Sequence, residues 1–196
     1  MSKFALLRSI LFVMAGALLP SFAFAHAAAE EAGGFMHGFM HPLSGLDHVC
    51  AMLAVGLWAA QMGGRSVWAV PLAFVSVMTL GSALSILDIG LPFVEQGIVL
   101  SVLLLGVLIA ASVHLPLWVS SSIVGLFALW HGHAHGSETP AHISGLLYGF
   151  GFLLTTALLH LAGIASGLKM QKLARGRAVH FAGMSIAMCG VYLAVI

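Results

Sequence analysis

The feature that most limits what this chain can become is a series of six long apolar runs, at residues 44–62, 66–87, 93–112, 115–133, 142–164 and 178–196. Each is close to the ~20 residues a helix needs to cross the hydrocarbon of a bilayer. Between them lie turn and breaker residues: Gly63-Gly64-Arg65, Asp88 to Pro92, His114 to Pro116, Ser137 to Pro140, and the basic stretch KMQKLARGR. Only 7% of the 196 residues are charged, whereas a soluble domain carries roughly 25%. Such a chain cannot clothe a water-facing surface. The predicted fold class is an all-α integral membrane protein, a polytopic bundle of six transmembrane helices with no soluble domain and no long linker.

Residues 1–25 read as a cleavable signal peptide. Lys3 and Arg8 supply its basic region, Ser9 to Leu19 its apolar stretch, and Ala23-Phe24-Ala25 an A-x-A site that predicts cleavage after Ala25. An uncleaved anchor helix is the competing reading; in both, the next residues emerge outside the cytoplasm. Residues 26–43 are then a periplasmic N-terminal segment and 44–196 the six-helix domain. Cleavage would leave His26 at the N-terminus, where its amine and imidazole can chelate a metal.

The remaining charges sort by side. Arg65 lies between the first and second runs, and Lys169, Lys172, Arg175 and Arg177 lie between the fifth and sixth. Six spans beginning outside put both groups in the cytoplasm, as the positive-inside rule asks. All six acids, Glu30, Glu31, Asp47, Asp88, Glu95 and Glu138, then fall outside or at outer helix ends. The expected topology is N-out, C-out in a bacterial inner membrane.

Eleven histidines against six acids and seven bases make imidazole the main metal-binding group. Two clusters share the outer face: HPLSGLDH, residues 41–48, and HGHAHGSE, residues 131–138. On a helix, His131, His135 and Glu138 lie within an arc of about 60° on one face, and His133 points elsewhere. Gly132 and Gly136 weaken that helix, so a wrapping loop aligning His131, His133 and His135 is equally open. His41 and His48 are seven apart, one helical face, with His37 four residues earlier. Pro42 disfavours helical geometry at His41, and Gly45 loosens the next turn. Ser44-x-x-Asp47 also fits a capping box, in which Asp47 satisfies backbone donors.

Glu95, embedded in FVEQGIVLSVLLLG, marks an ion pathway. Asp88, beside IGLP, reads as a solvated loop charge. For His160 a packing hydrogen bond and a pathway role stay open. His114, His142 and His180 read as interfacial residues, and Trp58, Trp68, Trp118 and Trp130 as interface anchors. Met52, Met78, Met184 and Met188 show no M-x-x-M clustering and read as packing. Cys50 and Cys189 form no CxxC pair and read as small buried hydrophobes, and Gly145-x-x-x-Gly149 permits close helix approach. Mixed imidazole and carboxylate ligands without paired thiolates suit nickel, cobalt or zinc rather than Cu(I) or magnesium.

These residues resemble the HupE/UreJ family of nickel permeases associated with hydrogenase and urease. The family pattern H-x5-D-H stands here as His41 through Asp47-His48. Its second pattern, F-H-G-x-A/V-H-G-x-E, stands as WHGHAHGSE: His131, His135 and Glu138 match, His133 occupies a free position, and Trp130 replaces Phe. VEQGIVLSVLLLG with Glu95 and GFLLTTALLHLAGI with His160 are similar to family segments, so the likeness covers essentially the whole mature chain. It implies a secondary transporter that moves Ni2+, with Co2+ as a second cargo, from periplasm to cytoplasm for metalloenzyme maturation. No permanent cofactor is expected, and the metal is the substrate. The expected ligands are His41, Asp47, His48, His131, His135, Glu138 and Glu95, with His37, His133, His160 and His26 auxiliary. Lipid and the ion are the expected partners, with hand-off to cytoplasmic nickel-handling proteins and no nucleic acid.

Competing classes are a metal receptor that binds without transport, a His-box membrane metalloenzyme, and a haem protein with axial histidines. The His-box enzyme needs more paired histidines, normally facing the cytoplasm; haem needs facing histidines near mid-membrane. No Walker motif is present, so the chain itself does not hydrolyse ATP, and no enzymatic activity is expected.

Overall fold

The computed structural model describes residues 26–140, 143–174 and 177–196. Among them every regular element is an α-helix: α1 His26–Ser44, α2 Leu46–Met62, α3 Ser66–Ile86, α4 Val94–Ala110, α5 Leu117–Ser137, α6 Gly145–Ala174 and α7 Arg177–Leu193. The six apolar runs fall on α2 to α7. Two helices, α3 and the stretch Gly145–Lys172 of α6, are long and apolar enough to cross a membrane, and the bent pair α1–α2 makes a third if it is one span. Helices α4 and α7 are apolar but shorter. The signal peptide and its cleavage site, and the side chains of His26 and His142, lie outside the described residues.

Helix α2 is the hub, packed against α1, α3, α4, α6 and α7. Its Met52, Val55 and Trp58 meet Phe74 and Met78 of α3, Leu105 and Ile109 of α4, Phe127 of α5 and Phe152 of α6 in one apolar core. The opposite faces are also apolar: Leu80, Leu100, Trp118, Leu126, Leu146 and Phe181 are exposed. A surface with this much large apolar area is suited to lipid rather than water. Close packing relies on glycine where two backbones meet. At Gly132 of α5 a Cβ would collide with the Met78 carbonyl on α3, and at Gly163 of α6 with the Leu53 carbonyl on α2.

Several local expectations are corrected. The pair Gly145 and Gly149 faces open space, because the surface that α6 turns inward carries Gly151 and Gly163 instead. The segment 26–43, to which no element was assigned, is almost all of α1 and packs along α6. Pro42 does not end that helix at His41. It sits in the last turn, where only two more residues follow, and Ser44 Oγ donates to the His41 carbonyl at 2.6 Å. No capping box forms at α2, because Ser44 is spent on that bond and Gly45 is the N-cap, without a side-chain hydrogen bond.

The basic stretch is not wholly a loop. Helix α6 runs through Lys169 and Lys172 to Ala174, placing cations where the carbonyl end of the helix dipole favours them. Trp58 is fully buried and donates to the Val113 carbonyl at 3.0 Å, so it is a core residue and not an interface anchor. Met52 and Met78 do pack in the core, whereas Met184 and Met188 face outward from α7. The cysteines are only half-buried, and they meet, with sulfurs 3.4 Å apart between α2 and α7.

Candidate metal site

Three helix ends converge at one end of the bundle. His41 lies in the last turn of α1, Asp47 and His48 in the first turn of α2, and His131 and His135 in the last turns of α5, which Glu138 closes as C-cap. The chain bends by 82° between α1 and α2, at Gly45, whose φ of −100° and ψ of 123° are extended. That bend is what lets His41 and His48 reach the same partner. His135 has its ring centroid 4.8 Å from that of His41 and 4.3 Å from that of His48. The two therefore sit on two helices and not on one helical face. Helix α5 continues through Ser137, which closes the loop alternative: His131 and His135 share a buried face and His133 does not.

One ligand atom each from His41, His135 and Glu138 lie within 4.8 Å of one another. Nitrogens bound to one metal at 2.0–2.1 Å are at most about 4.2 Å apart, so slight contraction around an ion would complete the set. His41 Nε2 and Glu138 Oε2 are 2.7 Å apart, and this hydrogen bond holds the Glu138 carboxyl below its ordinary value. His48 extends the cluster to His131, with centroids at 4.9 Å. Glu95 lines the same cavity, of about 200 Å3, with His41, Asp47, His48 and Glu138.

Hydrogen bonds decide which imidazole nitrogens are available. Asp47 Oδ1 accepts both the backbone N–H and the ring Nδ1–H of His48, each at 2.8 Å. Nε2 is then left with its lone pair, the standard way a carboxylate orients a ligating histidine. Ser101 Oγ donates to the Ile98 carbonyl at 2.6 Å and lies 3.0 Å from His131 Nε2. Its oxygen therefore accepts from Nε2–H, and the lone pair of His131 falls on Nδ1. His48 Nε2, His131 Nδ1 and both nitrogens of His135 are buried with no hydrogen-bond partner among the described residues. Each such group costs about 1–3 kcal/mol unless something binds it. A borderline divalent cation is the kind of ligand that imidazole and carboxylate donors accept together.

The other predicted residues are placed apart. His37 donates to the Gly33 carbonyl at 2.8 Å on the exposed side of α1. His133 bonds the Ile89 carbonyl at 3.1 Å, in a recess shared with Asp88. His160 is buried deeper, and its ring centroid is 5.1 Å from that of Phe74, which lies 5.6 Å from His131. His114 and His180 are exposed and bond backbone carbonyls at helix ends. Sequence reasoning missed Ser101, Phe74, Tyr148 and Phe152. Tyr148 packs on His41 and Phe152 on His135, at 5.7 and 3.9 Å. A serine inside an apolar run was the one usable signal; the aromatic residues look like ordinary core.

Fold and site together define an all-helical membrane protein with a histidine–carboxylate cluster at one end of its bundle, its α5 histidines buried and its carboxylates partly exposed. The chain belongs to the HupE/UreJ family, whose model, described as HupE / UreJ protein, matches residues 13–193. It is 45% identical over 184 residues to Protein HupE of Rhizobium leguminosarum bv. viciae, a match that covers 93% of this chain and 95% of that protein. No solved structure matches it.

Proposed function

We propose that this protein is a secondary transporter that carries Ni2+, and Co2+ as a second cargo, from periplasm to cytoplasm across a bacterial inner membrane. In this reading α2 to α7 are six spans, N-out and C-out, after removal of the signal peptide. The observation that carries it is the convergence of His41, His135 and Glu138 from two separate helices, backed by buried ring nitrogens that no group among the described residues satisfies. The family membership supports the choice of nickel over zinc.

The cluster would capture the ion at the outer face, with Glu138 and Glu95 compensating its charge and the imidazoles replacing its water. Asp47 acts through His48, whose Nε2 it turns toward the α5 histidines. Neutral imidazoles bind and charged ones do not, so the site is loaded only where the histidines are unprotonated. A divalent cation moving inward gains about 4.6 kcal/mol per 100 mV, twice the single-charge figure, which is enough to drive uptake without a nucleotide.

The test is accumulation of radiolabelled Ni2+ by cells expressing the wild type or His48→Ala, with Co2+ and Zn2+ as competitors. The proposal expects accumulation by the wild type, its loss in the mutant, and stronger competition by Co2+ than by Zn2+. Ni2+ bound by the purified protein without accumulation in cells would make it a receptor.

A further inference from the structure

Tyr148, Phe152, Thr156 and His160 follow one another every four residues along α6, so they form one stripe of the helix. All four are buried, at most 3% exposed. The upper half of the stripe is a wall of the metal site, Tyr148 against His41 and Phe152 against His135. The lower half leads away from it. Each four-residue step advances about 6 Å, which sets His160 about 18 Å along the helix from Tyr148, past the middle of a ~30 Å hydrocarbon layer if Tyr148 stands at its edge.

The stripe is polar where a packing surface would not be. Tyr148 Oη, Thr156 Oγ1 and both ring nitrogens of His160 have no hydrogen-bond partner among the described residues. Buried side-chain polar atoms are bonded in the large majority of cases, and a helical threonine has a ready acceptor in the carbonyl four residues back. The neighbouring Thr155 is satisfied, donating to the Phe39 carbonyl at 2.6 Å. Apart from Gln61 Oε1, the buried unpartnered side-chain atoms among the described residues belong either to the site histidines or to this stripe. The two sets adjoin, because His131 and His160 pack on the same Phe74 ring.

We infer that Thr156 and His160 form a second, inner stop for the same borderline divalent cation, reached from the histidine cluster along this stripe of α6. The inference rests on the proposed transport and deepens it. No carboxylate is among the residues that build the inner stop, so its ligands are neutral and hold the ion more loosely than the cluster above. That order is what conduction requires: each stop must be favourable enough to enter and weak enough to leave.

The probe is Co2+ alone, titrated to millimolar concentration into the purified full chain and followed by equilibrium dialysis and visible absorption, with uptake measured in parallel. The expected result is two Co2+ per wild-type chain, and one each in His160→Ala and His135→Ala. Uptake should fall tenfold or more in His160→Ala and severalfold in Thr156→Val, which keeps the side-chain shape. Two Co2+ in His160→Ala together with wild-type uptake would overturn the inner stop and leave transport standing. A wild type that fails to accumulate metal, yet loses one Co2+ on His160→Ala, would overturn transport and leave the inner site standing. Should His160→Ala fail to fold, Thr156→Val decides, and an unchanged spectrum with unchanged uptake overturns the inference.

Discussion

Asp47 and His48 are joined twice: one carboxylate oxygen accepts the backbone N–H and the ring Nδ1–H of the same residue. The ring is thereby locked in one tautomer and one orientation, packed against the His131 and His135 rings, with Nε2 buried and unpartnered among the described residues. Asp47→Asn keeps the shape and removes the charge that favours this tautomer. Orienting carboxylates of this kind are worth roughly 10–100-fold in metal affinity. Ni2+ binding to purified Asp47→Asn should weaken by that range while the melting temperature stays within a few degrees. An unchanged affinity would show that Asp47 does not position His48.

Glu138 and the imidazoles should separate on a pH axis. The hydrogen bond from His41 depresses the Glu138 pKa, so what this contact adds to stability is full above the ordinary glutamate range. It is lost only as pH falls through the depressed value, and at a half-exposed site it is small. Imidazole binds a metal only when unprotonated, so Ni2+ affinity should fall as pH is lowered, by up to about tenfold per pH unit for each proton displaced. In Glu138→Gln affinity should be lower at every pH, with the same imidazole-governed fall; a fall that disappears in this variant would reverse the assignment.

Glycines in contact with a neighbouring backbone should be intolerant, and those facing open space should not. Gly132→Ala pushes a Cβ against the Met78 carbonyl and must part α3 from α5, at a cost of about 1–3 kcal/mol. Because His131 and His135 flank Gly132, metal binding should fall with the melting temperature. Gly149→Ala meets nothing within 4 Å and gains up to about 1 kcal/mol of helix propensity. Equal melting temperatures for the two variants would refute this packing.

The Cys50 and Cys189 sulfurs, 3.4 Å apart, need to close by only about 1.4 Å to reach a disulfide bond length. A mild thiol oxidant should cross-link them within one chain, tying α2 to α7, with no disulfide-linked dimer. Mass spectrometry after alkylation reads this directly. Two freely alkylated thiols after oxidation would mean the helices do not meet there.

His133 supplies the contrast within the second motif. It bonds the Ile89 carbonyl outside the cluster, and His133→Ala should leave Ni2+ uptake within about twofold of wild type. Full loss would mean that the three histidines bind as an extended chelate.

Much of this protein was legible along the chain, because lipid imposes a local rule. Every backbone polar group must be satisfied within its own segment, so long apolar runs predicted where α2 to α7 lie, though α6 runs ten residues past its run, and the i, i+4 spacing put His131 and His135 on one buried face. Spacing is reliable there because a single helix carries both. It failed for His41 and His48, where the relevant geometry is an 82° bend at Gly45 that no periodicity encodes. Pro42 misled for the same reason, since its effect depends on how near the helix end lies. Only the packing of α1 and α6 around α2 and α5 decided that Tyr148, Phe152 and Thr156 face the histidines, that Trp58 is core, and that two cysteines 139 residues apart touch. Local rules act through the backbone of one element; contacts between elements depend on how several faces fit at once, and that is a property of the folded bundle alone.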